Sequence, residues 1–214
     1  MEKLIENLTN PFDGLKKNNL TDFQAECKKI AEDLFRNYCI NCNGTEYYFA
    51  EIEFYYYDSE QYLQNREQYK WQKVTYPRKC KAGQLFYHLS GVDICFGSDY
   101  DDRKAKFGGI LIRAIKKDGM IIAGPLNCKD EILNTCNGGK MPELLEATKK
   151  RNLNPKQTYR ALGKNDIDIE NDRLCFYDSH SEWNPNKEKY NTQKGKIEFR
   201  KSTYKTDRFN ENNK

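Results

Sequence analysis

The sequence predicts an α+β domain in which helices flank a curved, mostly antiparallel β-sheet. Residues 22–38 place Phe23, Cys27, Ile30 and Leu34 at helical spacing with charges opposite them, as in an amphipathic helix. Strand-like segments follow, joined by the short turns NCNG and KKDG, and helical segments come after them. Strands that are joined by short turns pair antiparallel, and helices that occupy separate stretches of the chain are typical of the α+β class.

Length and composition favour a single domain with a polar tail. The chain has 214 residues, of which 37% are hydrophobic, and its 15 Tyr and 11 Phe allow a substantial core. Residues 184–214 are rich in Asn, Lys, Glu and Thr. We therefore expect one domain over residues 1–183 and a partly disordered tail over residues 184–214. The net charge of +4 permits a nucleic-acid partner without indicating one.

The sequence suggests neither a membrane segment nor a cofactor. No apolar run approaches the roughly 20 residues of a membrane span, and the first residues lack the apolar core of a secretory signal. We expect a monomeric, cytoplasmic protein with eight reduced cysteines. Cys39 and Cys42 have the CxxC spacing of a zinc ligand pair, but no second CxxC follows them. We therefore expect no metal and no cofactor.

Several element boundaries can be predicted along the chain. Thr21 or Asp22 is suited to N-cap the first helix. Residues 59–73 fit either a helix or a long loop. After Pro125 the sequence suggests short helices interrupted at Gly138 and Gly139, and the segment LCFYDS suggests a last strand.

The strand AEIEFYYYD, residues 50–58, carries two glutamates among aromatic residues. Side chains alternate along a strand, which places Glu51 and Glu53 on one face together with Tyr47, Phe49 and Tyr55. A charge away from water is costly unless it is paired or functional. The glutamates could instead lie on the solvated face of an edge strand.

The segment QLFYHLSGVDICFG predicts a β-hairpin with Ser90 and Gly91 in the loop. In this register Leu89 lies opposite Val92 and His88 lies opposite Asp93. Tyr87 and Ile94, and Leu85 and Phe96, form further apolar pairs on the face of Leu89. His88 and Asp93 share the other face, either as a functional pair or as a structural ion pair.

Five motifs in order resemble the alkyladenine (3-methylpurine) DNA glycosylase family. The chain carries AEIEFY, YPRK, KAGQLFYHLSG, LIRAI and AGPLNC, where that family has ETEAY, TPRN, KPGTLYVY followed by YGM, LLRA and GPG. The first helix, ending AEDLF, matches the family's ARDLLG. The resemblance extends from about Phe23 to Cys128, a little under half of the chain.

This resemblance implies a DNA glycosylase that removes alkylated or deaminated purines in base excision repair. It implies that Glu53 is the general base that activates water, and that Arg113 holds this water or the glutamate. Tyr55 and His88 would stack on the base that is flipped out of duplex DNA. Glu51 and Asp93 would line the same base pocket.

The resemblance also implies where the DNA would contact the protein. The family has a tyrosine at the hairpin tip, whereas this chain offers only Leu89 or Ser90 to fill the gap left by the flipped base. The family's histidine between the glutamate strand and TPRN has no counterpart between Glu53 and Pro77. Four basic residues near the hairpin either contact phosphates or lie in a solvated loop: Arg78, Lys79, Lys81 and Arg103.

Two other functions are compatible with the same residues. One is a non-catalytic module of this fold that binds nucleic acid or a small ligand. The other is a hydrolase of free nucleosides or other N-glycosides, which needs no residue to fill a gap in a duplex. Arg113, in an apolar strand, could instead be a structural partner for a glutamate.

Overall fold

The computed structural model describes residues 1–9, 20–68, 72, 79–97, 99–100, 105–160 and 173–178. This part of the chain is an α+β domain whose antiparallel sheet curls into a half-barrel flanked by helices, which confirms the predicted class. None of its helices combines the length and apolar composition of a membrane span. The predicted tail, residues 184–214, lies outside the described residues.

The described part of the chain contains four helices and ten strands. The helices are α1 Glu2–Thr9, α2 Leu20–Asn37, α3 Ser59–Gln64 and α4 Pro125–Cys136. The strands are β1 Tyr38–Cys42, β2 Thr45–Asp58, β3 Leu85–His88, β4 Gly91–Cys95, β5 Asp99–Tyr100, β6 Ala105–Lys117, β7 Met120–Ala123, β8 Glu143–Glu146, β9 Lys156–Arg160 and β10 Arg173–Tyr177.

The two long strands β2 and β6 pair along their length and form the centre of the sheet. The strand order β3-β4-β6-β2-β1-β8 is extended by β10, which pairs with β2 beside both glutamates, and by β9 beyond it. The second half of β2 thus lies between β6 and β10. The alternative of a solvated edge strand is therefore wrong, and Glu51 and Glu53 are both buried.

Two of the sheet's hairpins have the turns that the sequence predicts. Asn43 and Gly44 have φ angles of 51° and 83° between β1 and β2, and Asp118 and Gly119 have 49° and 82° between β6 and β7. Two successive residues with positive φ are the mark of the type I′ turn, whose twist matches that of paired strands. These turns fix the registers of both pairs.

The core lies where α1, α2 and α4 pack against the sheet. Leu4 and Leu8 of α1, and Phe23 and Leu34 of α2, belong to one buried apolar cluster with residues of the central strands. The spacing of these helix residues confirms the predicted amphipathic helix. The predicted N-cap is wrong, because α2 includes Leu20 and therefore extends beyond Thr21 and Asp22.

A β-bulge divides β2 into two halves. Odd-numbered residues point into the core before the bulge, and even-numbered residues point into it after the bulge. Phe49 pairs with Ile115, but Glu51 pairs with Ala114, so that Ala50 has no partner on β6. Tyr47 and Phe49 precede this bulge and lie in the core together with Ile52, Phe54 and Tyr56, which follow it. Since a bulge inserts one residue into the alternation, Glu51, Glu53 and Tyr55 point to the other face. The prediction that all five residues share one face is therefore wrong for Tyr47 and Phe49.

The hairpin of β3 and β4 has the predicted faces but not the predicted register, and Leu89 is an exposed loop residue and not the partner of Val92. His88 pairs with Gly91 and Phe86 with Asp93, so the loop is Leu89 and Ser90. The observed pairing differs from the predicted one by two residues along a strand, which preserves side-chain parity. Val92, Ile94 and Phe96 accordingly lie in the core, and Leu85 and Tyr87 pack against it.

The segment after Gly139 is a strand where the sequence suggested a helix. Glu143–Glu146 forms β8, which pairs with β1 from Tyr38 to Asn41. The pairing supplies hydrogen bonds that a short isolated helix lacks, so tertiary contacts override local preference. The predicted last strand is confirmed as β10, while β9 was not predicted. Residues 59–64 adopt the helical alternative as α3.

Candidate functional site

A cluster of two carboxylates and two arginines lies on the face of the sheet opposite the core. Arg113 Nη1 donates to Glu53 Oε2 at 2.5 Å, and Arg113 Nε lies 3.4 Å from Glu51 Oε1. Arg113 occupies the bulge in β6, where it has no partner on β2 in the register. The paired irregularity of the two strands therefore places this side chain within reach of both glutamates.

Arg173, the first residue of β10, completes this cluster from the other side of β2. Its Nη1 donates to Glu53 Oε1 at 2.7 Å, so both oxygens of Glu53 accept a charge-assisted hydrogen bond. The Glu53 side chain is only 1% exposed, whereas the side chains of Arg113 and Arg173 are 20% and 42% exposed. The two cations stabilise a carboxylate that would otherwise be costly to bury.

The Nε atom of Arg113 is a buried donor without a hydrogen-bond partner among the described residues. Its contact with Glu51 is an ion-pair distance rather than a well-aligned hydrogen bond. Buried unsatisfied donors are uncommon in proteins and mark positions where a water or ligand atom can be accommodated. Among the described residues the cluster therefore retains one unsatisfied donor, which lies beside Glu51.

A second polar network lies next to this cluster on the same face. The Tyr55 hydroxyl donates to Asp93 Oδ2 at 2.5 Å, and His88 Nε2 lies 3.3 Å from Asp93 Oδ1. Gly109 of β6 lies opposite Tyr55 of β2 and opposite Cys95 of β4, so the Tyr55 hydroxyl reaches Asp93 across β6. Ser90 Oγ lies 3.1 Å from His88 Nδ1 and extends the network to the hairpin tip.

The two networks are neighbours because of the sheet register. Leu111 of β6 pairs with Glu53 on one side and with Asp93 on the other. The backbones that carry Glu53 and Asp93 are therefore two strand spacings apart, about 10 Å. Tyr55 follows Glu53 by two residues and connects the two networks. The structure thus brings together all six residues predicted for catalysis and base binding.

The hairpin tip is exposed and fixed from below by helix α4. Leu89 is 81% exposed, whereas Lys129 of α4 is only 3% exposed. The Lys129 amino group donates to the backbone carbonyls of His88 at 3.1 Å and Leu89 at 2.9 Å. The predicted gap-filling residues Leu89 and Ser90 therefore lie at a protruding, anchored turn.

The predicted phosphate contacts are only partly described. Lys79 and Lys81 are exposed on the segment that leads into β3. This segment lies at the base of the hairpin, where the Gly83 amide donates to the Cys95 carbonyl at 2.9 Å. Arg78 and Arg103 lie outside the described residues. The described lysines are thus at the end of the hairpin remote from Leu89.

The cysteines do not form a zinc site of the CxxC type. Cys39 and Cys42 are three residues apart on β1, so their side chains point to opposite faces. Cys42 instead lies with its Sγ 2.9 Å from Cys136 Sγ, and burial raises the pKa of Cys136 to about 12. Among the described residues no group of three or more His, Cys, Asp or Glu side chains is arranged to hold a metal ion.

Comparison with known proteins adds no relationship to this geometry. The chain matches no protein-family model, no curated protein and no solved structure. The candidate site is therefore defined by its own residues alone.

Sequence reasoning missed two residues that contribute to the site. Both are distant in sequence from the residues that they contact. Arg173 is 120 residues from Glu53 along the chain, and Lys129 is about 40 residues from the hairpin tip. One signal was available for Arg173. It opens the segment RLCFY, whose alternation places Arg173 and Cys175 on one face and two apolar residues on the other.

Proposed function

We propose that this protein is a monofunctional DNA glycosylase that hydrolyses the N-glycosidic bond of alkylated or deaminated purines. The observation that carries the proposal is the pairing of Glu53 with Arg113 beside Tyr55, Asp93 and His88. These are the residues to which the resemblance assigned base activation and base binding. Their proximity in space adds support that the order of motifs along the chain could not provide.

The chemistry requires a carboxylate that remains negatively charged in a site shielded from water. Cleavage of an N-glycosidic bond develops positive charge on the sugar, which a nearby carboxylate stabilises while it takes a proton from the attacking water. A carboxylate has about four lone-pair positions, so the hydrogen bonds of Glu53 to two arginines leave capacity for a water. Arg113 fixes the orientation of this carboxylate.

Base recognition would involve the neighbouring network. Asp93 orients the Tyr55 hydroxyl and the His88 ring, and aromatic rings recover stacking energy when a base leaves the duplex. The exposed Leu89 at the anchored tip is an apolar side chain that can occupy the gap left in the duplex. We propose duplex DNA as the partner and a monomer as the active form.

A test of the proposal measures base release under single-turnover conditions. Duplex oligonucleotides carry hypoxanthine or an alkylated purine, and wild type is compared with Glu53→Gln. Removing a general base costs roughly 100- to 10,000-fold in rate, and we expect a loss of this size. Glu143→Gln, which alters an exposed glutamate on β8, is the matched control and should retain wild-type activity.

Three results would contradict the assignment. Release that survives in Glu53→Gln would transfer the role of base to Glu51, the next carboxylate of the cluster. Absence of release across several lesions by a folded wild-type protein would refute the glycosylase function. Release from free nucleosides without a duplex would indicate the other N-glycoside hydrolase instead.

A non-catalytic binding module is the second candidate, and one observation favours it. Both oxygens of Glu53 are held by arginines and the side chain is almost fully buried, as in a purely structural ion cluster. A binding module would bind the duplex as wild type and release no base. Gel-shift titration of wild type with the same oligonucleotides, combined with the base-release assay, therefore separates the two functions.

A further inference from the structure

We propose that Arg173 is a positioning residue for Glu53, and that its exposed guanidinium marks the side from which water and ligand reach this carboxylate. The inference rests on the proposed glycosylase function. It concerns a residue outside the motifs that carry the family resemblance, since that resemblance ends near Cys128 and Arg173 lies on β10.

The two arginines that hold Glu53 differ in their access to solvent. Arg113 is 20% exposed and contacts both glutamates, whereas Arg173 is 42% exposed and contacts Glu53. Glu53 itself is 1% exposed. Of these two described arginines, Arg173 is therefore the more exposed connection between the buried carboxylate and the surface.

The strand pairing explains why the arginine reaches this position. Cys175 of β10 pairs directly with Glu53 of β2, and Arg173 lies two residues earlier on the same face. Leu174 and Phe176 point to the other face and belong to the core. The apolar residues of β10 thus pack in the core, while Arg173 on the opposite face reaches the Glu53 carboxylate.

The bond from Arg173 fixes Glu53 Oε1 on the side of the carboxylate that faces β10. This 2.7 Å contact involves a single Nη atom, and together with the Arg113 bond to Oε2 it restricts rotation of the carboxylate. A displacement of about 1 Å in a reacting group can cost roughly 100-fold in rate. Loss of Arg173 should therefore slow the chemical step more than it weakens binding.

The experiment compares Arg173→Ala and Arg173→Lys with wild type in the base-release assay. We expect Arg173→Ala to lower the single-turnover rate by about 100-fold and to change duplex affinity by less than about threefold. Arg173→Lys should recover only part of the rate, because lysine restores the charge but its ammonium group cannot occupy the same position as the guanidinium Nη1 atom. Free guanidinium ion should restore part of the rate of Arg173→Ala, since the truncated side chain leaves a gap open to solvent.

Two control variants make the restoration specific. Arg113→Ala removes a less exposed arginine and should be restored less by guanidinium. Arg36→Ala removes an arginine of α2 whose described side-chain hydrogen bond goes to the Leu153 carbonyl and not to the cluster. It reports the general effect of guanidinium on the assay. Circular dichroism confirms that each variant is folded before its rate is interpreted.

The outcomes separate this inference from the function on which it rests. An inactive wild type would overturn the proposed function and this inference together. An active wild type with an Arg173→Ala variant of unchanged rate would overturn the inference alone. A loss of affinity equal to the loss of rate, without restoration by guanidinium, would also overturn it, because Arg173 would then bind the ligand directly.

Discussion

Replacement of Arg113 by methionine should destabilise the fold by about 3 kcal/mol. Arg113 Nη1 bonds Glu53 at 2.5 Å, and its Nε lies 3.4 Å from Glu51. Removing one partner of a buried ion pair costs about 3–5 kcal/mol, because the other charge remains in a medium that solvates it poorly. Since Arg173 continues to donate to Glu53, we expect the lower end of this range.

Urea denaturation followed by circular dichroism measures this change. For an m-value of about 2 kcal/mol/M, a loss of about 3 kcal/mol lowers the unfolding midpoint by about 1.5 M. Lys116→Met, three residues along β6, replaces a half-buried cation by the same side chain and is the matched control. A substitution outside such a cluster should change the free energy of unfolding by no more than about 0.5 kcal/mol.

A double variant identifies the cause of the destabilisation. Glu53→Gln keeps the side-chain shape and removes the charge, so Arg113→Met should cost less in the Glu53→Gln background than in wild type. We expect a coupling of about 1 kcal/mol or more between the two changes. The reasoning fails if Arg113→Met and Lys116→Met are equally stable, or if the two changes are additive.

Three further predictions follow from buried groups. Lys129→Met removes two hydrogen bonds to the hairpin tip and should lower the free energy of unfolding by about 1–3 kcal/mol, with faster amide exchange at Leu89. Lys28→Met, on the exposed face of α2, is the control and should change neither quantity. Alkali should destabilise the protein, because burial raises the pKa of the thiols of Cys27, Cys39, Cys128 and Cys136 above the ordinary value near 9. Above pH 9 the unfolded chain loses these protons while the folded protein keeps them. The free energy of unfolding should therefore fall by roughly 1 kcal/mol per thiol and pH unit. Urea titrations at pH 8 and pH 10 measure this loss of stability, and equal unfolding midpoints at the two pH values would contradict the prediction. Cys80 is the cysteine with partial exposure, so peptide mass spectrometry after brief alkylation should find it labelled first, and earlier labelling of any other cysteine in the native protein would contradict the burial.

The sequence predicted the main elements because their signals are local. Apolar spacing identified α2, and the turns at Gly44 and Gly119 located two hairpins. The register of the β3–β4 hairpin is harder to predict, because a glycine is typical of a turn, whereas Gly91 is the first residue of β4 and pairs with His88. An added Cβ at Gly91 would lie 2.9 Å from Leu111 Cδ1 and 3.0 Å from Pro125 Cβ. This glycine allows close packing against α4, and the turn itself is formed by Leu89 and Ser90.

The parts of the site that escaped prediction depend on contacts between distant segments. No local pattern connects Arg173 with Glu53 or Lys129 with the carbonyl groups of the hairpin tip. The resemblance to a glycosylase supplied candidates only up to Cys128. Cation partners beyond that point required the pairing of β10 with β2, which a single sequence does not encode as a periodicity.

The bulge explains how one aromatic strand can serve both the core and a polar cluster. In a regular strand Tyr47 and Phe49 would share a face with Glu51 and Glu53, and one of these two sets would be in the wrong environment. The extra residue at Ala50 reverses the parity, so that the aromatic pair enters the core while both glutamates face Arg113. Arg113 is itself the unpaired residue of β6 at this point. The irregularity that defeats a period-two prediction is therefore the feature that assembles the carboxylates with their cation, because a bulge redirects the side chains that follow it.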